Sequence, residues 1–123
     1  MGNNIVNVTK NGTMVLAGAL AVVFTMIALA NFGIIDLTKH IVAVLTISAA
    51  LFLLADLGGL AALGSSKPLV IGQAVLAFVA LLFGVLGLFG IVVEAVAAIA
   101  GIVATIVVVL AIVNIFVAMG AKR

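Results

Sequence analysis

Four long runs almost free of charge dominate this chain: residues 14–35, 41–63, 69–93 and 95–121, of which only the second holds a charged side chain, Asp56. At about 1.5 Å per residue, each run is roughly 33–40 Å long as a helix, enough to cross an apolar layer of about 30 Å. The runs are apolar on every side rather than along one stripe, so each helix must be surrounded by lipid or by neighbouring helices. Hydrophobic residues make up 68% of the chain and charged residues 7%, against about 45–50% and about 25% in an ordinary soluble domain. A soluble monomer is thereby excluded, because a body of this size cannot hide so much apolar surface in its own core.

The breaks between the runs set the architecture. Residues 1–13 form a polar, Asn-rich N-terminal arm that ends in Thr13, an N-cap for the first apolar helix. Gly33 ends that helix, and Asp36 is placed to cap a second over 37–63. In Gly64-Ser-Ser-Lys-Pro68, Ser66 can cap a third helix over 68–88, since proline fits the first turn of a helix. Gly84, Gly87 and Gly90 mark the bend into a fourth helix over 91–119, closed by Gly120. The β-branched stretch from Ile106 to Val109 favours a strand by propensity, but its apolar flanks exceed 20 residues and length decides for helix. The expected fold is all-α: four very hydrophobic antiparallel helices in two hairpins, 14–63 and 68–119, forming one helical bundle over 14–123. The hairpins resemble each other, Phe32-Gly33-Ile34 recurring as Phe89-Gly90-Ile91, Asp36 near Glu94 and Asp56 near Asn114, an offset of 57 to 58.

The absence of Cys and the single His exclude disulfides, thiol nucleophiles and His-rich metal sites. No nucleophile–base pair or carboxylate dyad occurs at workable spacing, so neither catalysis nor a cofactor is expected. Asp56 is the leading polar candidate. At depth in an apolar layer it must be paired or protonated, as a proton carrier would be, whereas just before Gly58-Gly59 it can instead sit near a helix end and meet water. A carboxylate on the second helix of a hairpin resembles the rotor-ring proteolipids of ATP synthases, although the Gly-repeat helix of those proteins is missing. Glu94 suits the N-terminus of the fourth helix. Asn31, Gln73 and Asn114 are expected to form hydrogen bonds between helices.

Small residues recur at packing intervals, including Ala77-Ala80-Gly84 and Ala97-Gly101, so Gly84 and Gly101 are candidate close-approach positions that drive helix association. Two sequons, Asn7-Val-Thr9 and Asn11-Gly-Thr13, make Asn7 and Asn11 candidate glycan acceptors on an external face. Four spans put Lys10, Lys67, Lys122 and Arg123 on one side and Lys39 on the other, in keeping with the positive-inside rule. That topology places the sequons on the inner side. The chain also lacks the Trp and Tyr that normally mark lipid interfaces.

Small size, extreme hydrophobicity, nearly charge-free hairpins and a short polar Asn/Thr arm resemble the major capsid proteins of spindle-shaped archaeal viruses, through the apolar blocks 14–35, 41–63, 69–93 and 95–121. This resemblance implies a structural, self-assembling protein of the virion whose partners are many copies of itself, packed helix against helix into a shell or tail. It further implies that Lys67, Lys122 and Arg123 face packaged DNA. The alternative is a small four-span integral membrane protein with lipid as its partner: a channel, a holin-like or accessory subunit, or a proton-carrying ring subunit.

Overall fold

The computed structural model describes residues 2–64, 66–91 and 93–120, with the side chains of residues 2–7 excepted. Four helices follow in chain order: α1 (Gly2–Asn31), α2 (Lys39–Ala62), α3 (Lys67–Leu88) and α4 (Glu94–Met119). They form an all-α bundle with no strand among the described residues. Four side-chain contacts fix the directions. Thr13, early in α1, meets Gly59, late in α2, while Ile47, early in α2, meets Gly84, late in α3. Gln73, early in α3, bonds Asn114, late in α4, and the ring of Phe32, just after α1, covers Gly101 in the first half of α4. Every neighbouring pair is therefore antiparallel, in the cyclic order α4, α1, α2, α3. The broadest contacts join the two hairpins, α1 with α4 and α2 with α3, and the slightest of the four neighbour seams is α3 with α4.

The turns follow from local chemistry. Gly33 and Gly90 both adopt left-handed backbone, with φ of 76° and 73°, a region that costs a side-chain-bearing residue about 1–2 kcal/mol. That geometry lets the Ile34 N–H reach the Leu29 carbonyl and the Ile91 N–H reach the Leu86 carbonyl, both at 2.9 Å, which satisfies carbonyls left open at a helix end. The recurring Phe-Gly-Ile triplets are thus two copies of one helix stop.

Three helix starts differ from the sequence reading. α1 begins at Gly2, so the polar segment is helical and Thr13 is no N-cap. Thr13 lies on the α1 seam, buried against Gly59 of α2, and a helix already packed there extends backwards at little cost per residue. α2 begins after Thr38 rather than at Asp36: the extended Thr38 (φ −64°, ψ 148°) accepts the Ile41 N–H at 3.4 Å. α4 begins at Glu94, three residues later than 91, because the Gly90 stop sends the chain out through extended Val93 (φ −96°, ψ 165°). The third start holds in position, with Ser66 preceding α3 and Pro68 in its first turn, but the Ser66 side chain makes no capping hydrogen bond.

Buried positions alternate steps of four and three, as in Thr13, Ala17, Leu20, Phe24 and Ile27 of α1 and Gln73, Ala77, Ala80, Gly84 and Gly87 of α3. This is the seam of left-handed helix packing. The two seams match position for position, and on α2 and α4 Ala43 matches Gly101, Leu53 matches Ala111 and Asp56 matches Asn114. Ten of the eighteen buried apolar residues are alanine, whereas Val22, Phe52, Phe78 and Phe116, one on each helix, are all more than half exposed. Alanine thus dominates the interior while many large apolar side chains face outward, so the bundle needs an apolar medium around it.

Candidate functional site: a polar layer across the bundle

One polar residue from each helix enters the interior at nearly the same level: Thr13, Asp56, Gln73 and Asn114, between 0 and 5% exposed. Asp56 lies six residues before the end of α2, Gln73 six after the start of α3 and Asn114 five before the end of α4, which puts each about 7–9 Å inside the same end of the bundle. We call this the lower end. The layer exists because the four-three seam continues through polar positions without a change of step.

The two hairpins treat the layer differently. Gln73 Nε2 donates to Asn114 Oδ1 at 2.8 Å, and Asn114 Nδ2 donates to Gln73 Oε1 at 2.8 Å, a closed ring of two hydrogen bonds across the α3–α4 seam. Two amides can satisfy each other in this way because each carries both donor and acceptor. In the first hairpin the matching positions hold Thr13 and Asp56. Asn114 lies beside the Asp56 carboxyl, yet among the described residues Oδ1 and Oδ2 of Asp56 are both buried without a hydrogen-bond partner. The water-facing alternative for Asp56 is therefore corrected, since its side of α2 is the seam and not the outer wall.

Towards the upper end, a cavity of about 600 Å³ lies between all four helices. Phe24, Ala80 and Ala104 line it, and its polar members include Asn31, Lys39 and Glu94. Gly87 of α3 and small residues of α4 such as Ala97 and Ala104 line this space.

The remaining candidates are dispersed. Asn11 is exposed on α1, while the third residue of its sequon, Thr13, is buried; the Asn7 side chain lies outside the described residues. Lys67 is exposed at the start of α3, and Lys122 and Arg123 lie outside the described residues. Gly84 and Gly101 are close-approach positions, but both contacts are internal to the chain: a Cβ on Gly84 would fall 2.6 Å from Ile47 Cγ1 and 3.2 Å from the Ala43 carbonyl, and one on Gly101 would fall 2.7 Å from the Phe32 ring. Gln73 and Asn114 bond between helices as expected, whereas Asn31 donates to the Ile27 carbonyl of its own helix at 2.9 Å. Sequence reasoning missed Thr13 as a member of the layer, although its four-residue spacing to Ala17 repeats that of Gln73 to Ala77. In comparisons with known proteins the chain matches no family model, no curated protein and no solved structure.

Proposed function

We propose that this chain is a structural building unit, a four-helix brick that stands across an apolar layer and assembles side by side with copies of itself. The observation that carries this reading is the distribution of surface chemistry. All four helices present large apolar side chains outward, while among the described residues every charge except Asp56 lies toward one end of the bundle or the other: Lys10 and Lys67 below, Asp36, Lys39 and Glu94 above. The helices α2 to α4 are 22 to 26 residues long, so the apolar wall is about 33–39 Å tall. A body with apolar sides and polar ends tiles a layer one bundle thick. Apolar walls lack the directionality of ion pairs, so neighbouring units can slide and the layer can change curvature, as the resemblance to spindle-virus capsid proteins requires. The basic lower end, which Lys122 and Arg123 follow in sequence, is the end that would face packaged DNA.

A second reading, a four-span membrane protein surrounded by lipid, is favoured by one observation. The close-approach glycines Gly84 and Gly101 are both used inside the chain, which leaves the outer walls to the large branched and aromatic residues that lipid accepts. Four helices are long and apolar enough to span a membrane. Electron microscopy of the native material, with lipid assayed on the same sample, separates the two. Filaments, tubes or shells with little lipid support the structural unit, and small detergent-solubilised oligomers with bound lipid overturn it in favour of the membrane reading.

A further inference from the structure

The bundle is hollow toward its upper end. The cavity of about 600 Å³ between the four helices has the size of a small-molecule site, about 300–1,000 Å³, whereas protein interiors hold few voids larger than a water molecule. Its inner wall includes Phe24, Ile27, Ala80 and Ala104, all under 5% exposed. The polar side chain among the buried lining residues is Thr46, whose hydroxyl donates to the Val42 carbonyl of its own helix at 2.6 Å. Water needs about two to four polar partners to settle in such a space, and one hydroxyl already in use does not provide them. An apolar chain suits this wall.

The mouth has a different chemistry. The exposed lining residues Phe32, Gly33, Lys39, Glu94 and Ala98 all stand at the upper end, so the cavity opens there. From Glu94 to Ala104 it follows ten residues of α4, about 15 Å into the bundle. Lys39 and Glu94 bring one cation and one anion to the mouth from different helices, and neither is paired among the described residues. Lys39 begins α2, and the N-terminal end of a helix itself attracts negative charge. Asn31 lies on the same wall; its Nδ2 donates to the Ile27 carbonyl at 2.9 Å, which leaves Oδ1 as an acceptor. A head group of one sign would be drawn to one of the two charges and repelled by the other, whereas a head carrying both signs complements both.

We propose that the upper cavity binds one single-chain amphiphile with a zwitterionic head. The apolar tail lies between the four helices, and at the mouth the head sets its anionic group at Lys39 and its ammonium at Glu94. The site is formed within one chain, so it does not depend on whether lipid or sister copies cover the outer walls. The tail supplies the apolar contacts that the lining lacks when the space is empty.

Native mass spectrometry of the full-length chain tests this, with the protein held in an amphipathic polymer so that no free detergent competes. The probe is lauroyl lysophosphatidylethanolamine, and the wild type is expected to retain one molecule per chain. Ala97→Phe, which places a ring inside the cavity, is expected to lose it. Lys39→Gln and Glu94→Gln, both at exposed positions where the fold tolerates change, should each weaken binding about threefold, as ion pairs at an open mouth do. A wild type that retains no probe overturns the proposal, whatever the variants do. Retention by a folded Ala97→Phe protein equal to that of the wild type also overturns it, by assigning the probe to the outer walls. Equal binding of monolaurin, which has the same tail and an uncharged head, or full binding by both charge variants, overturns the assignment of the mouth to a zwitterion.

Discussion

The first hairpin, α1 with α2, and the second, α3 with α4, are built on the same seam but carry different side chains at matching positions. Where α1 places Phe24 and Ile27, α3 places Gly84 and Gly87, and where the second hairpin closes Gln73 on Asn114, the first sets Thr13 beside α2 and leaves Asp56 unpaired. The large side chains of the first hairpin fill the middle of the bundle. The glycines of the second let α2 come close, Gly84 lying against Ile47, but leave α3 and α4 the loosest neighbouring seam, with the cavity above it. A repeated backbone pattern thus divides two tasks. One hairpin supplies packing volume and a buried carboxyl, and the other supplies close approach and a closed polar lock.

The largest expected effect lies at the pair Phe24 and Gly84. Phe24 is fully buried, so Phe24→Ala should cost about 3–5 kcal/mol through lost burial and the void it opens into the existing cavity. The melting temperature should fall accordingly, and a loss below about 1 kcal/mol would mean that α3 and α4 collapse onto the gap.

The lock of the second hairpin comes next. Gln73→Leu or Asn114→Leu leaves the opposite amide buried without its partner, at a cost of about 1–3 kcal/mol. The double variant removes both polar groups and should cost less than either single change. A double-mutant cycle by thermal or denaturant unfolding measures this coupling, and additive losses would show that the two hydrogen bonds contribute no more than packing does. Gly84→Ala should be milder. The new methyl group meets Ile47 and the Ala43 carbonyl, a clash of about 1–3 kcal/mol, reduced by the roughly 1 kcal/mol that alanine gains over glycine in a helix. At Gly101 the obstruction is the half-exposed Phe32 ring, which can swing away, so Gly101→Ala should be nearly neutral in the same measurement.

These contrasts also show what was legible beforehand. The four helices, the Gly33 and Gly90 stops, the Ser66–Pro68 start and the bonding of Gln73 and Asn114 across helices follow from residues with few conformational options. The inward faces did not, because where nearly every position is apolar the hydrophobic pattern has no contrast. Only the polar and small residues reveal the seam, in the steps from Gln73 to Ala77, Ala80, Gly84 and Gly87. Thr13 reads as a cap because it precedes an apolar run, and its true role depends on Gly59, 46 residues away. The burial of Asp56 was hidden for the same reason: Gly58-Gly59 mark a nearby helix end in sequence, but the angular position of Asp56 on α2 is fixed by packing.

The smallest expected effect concerns how the second helix of each hairpin begins. In the first hairpin, Thr38 is extended and its hydroxyl accepts the Ile41 N–H, whereas in the second, Val93 holds comparable extended backbone with no side chain able to accept. An N-terminal hydroxyl contributes about 0.5–2 kcal/mol, and the 3.4 Å length of the Thr38 bond places it at the lower limit. Thr38→Ala should therefore lower stability by about 0.5 kcal/mol. Val93→Ser should raise it by a similar amount, since the backbone angles of Val93 already suit a cap and the following Glu94 favours the positive end of the helix. Amide hydrogen exchange at the first turns of α2 and α4 reads the two changes separately, with protection lost in one and gained in the other. If Val93→Ser leaves the first turn of α4 unprotected, the hairpins differ at this end through their tertiary packing and not through the cap, and the looser α3–α4 seam is the cause.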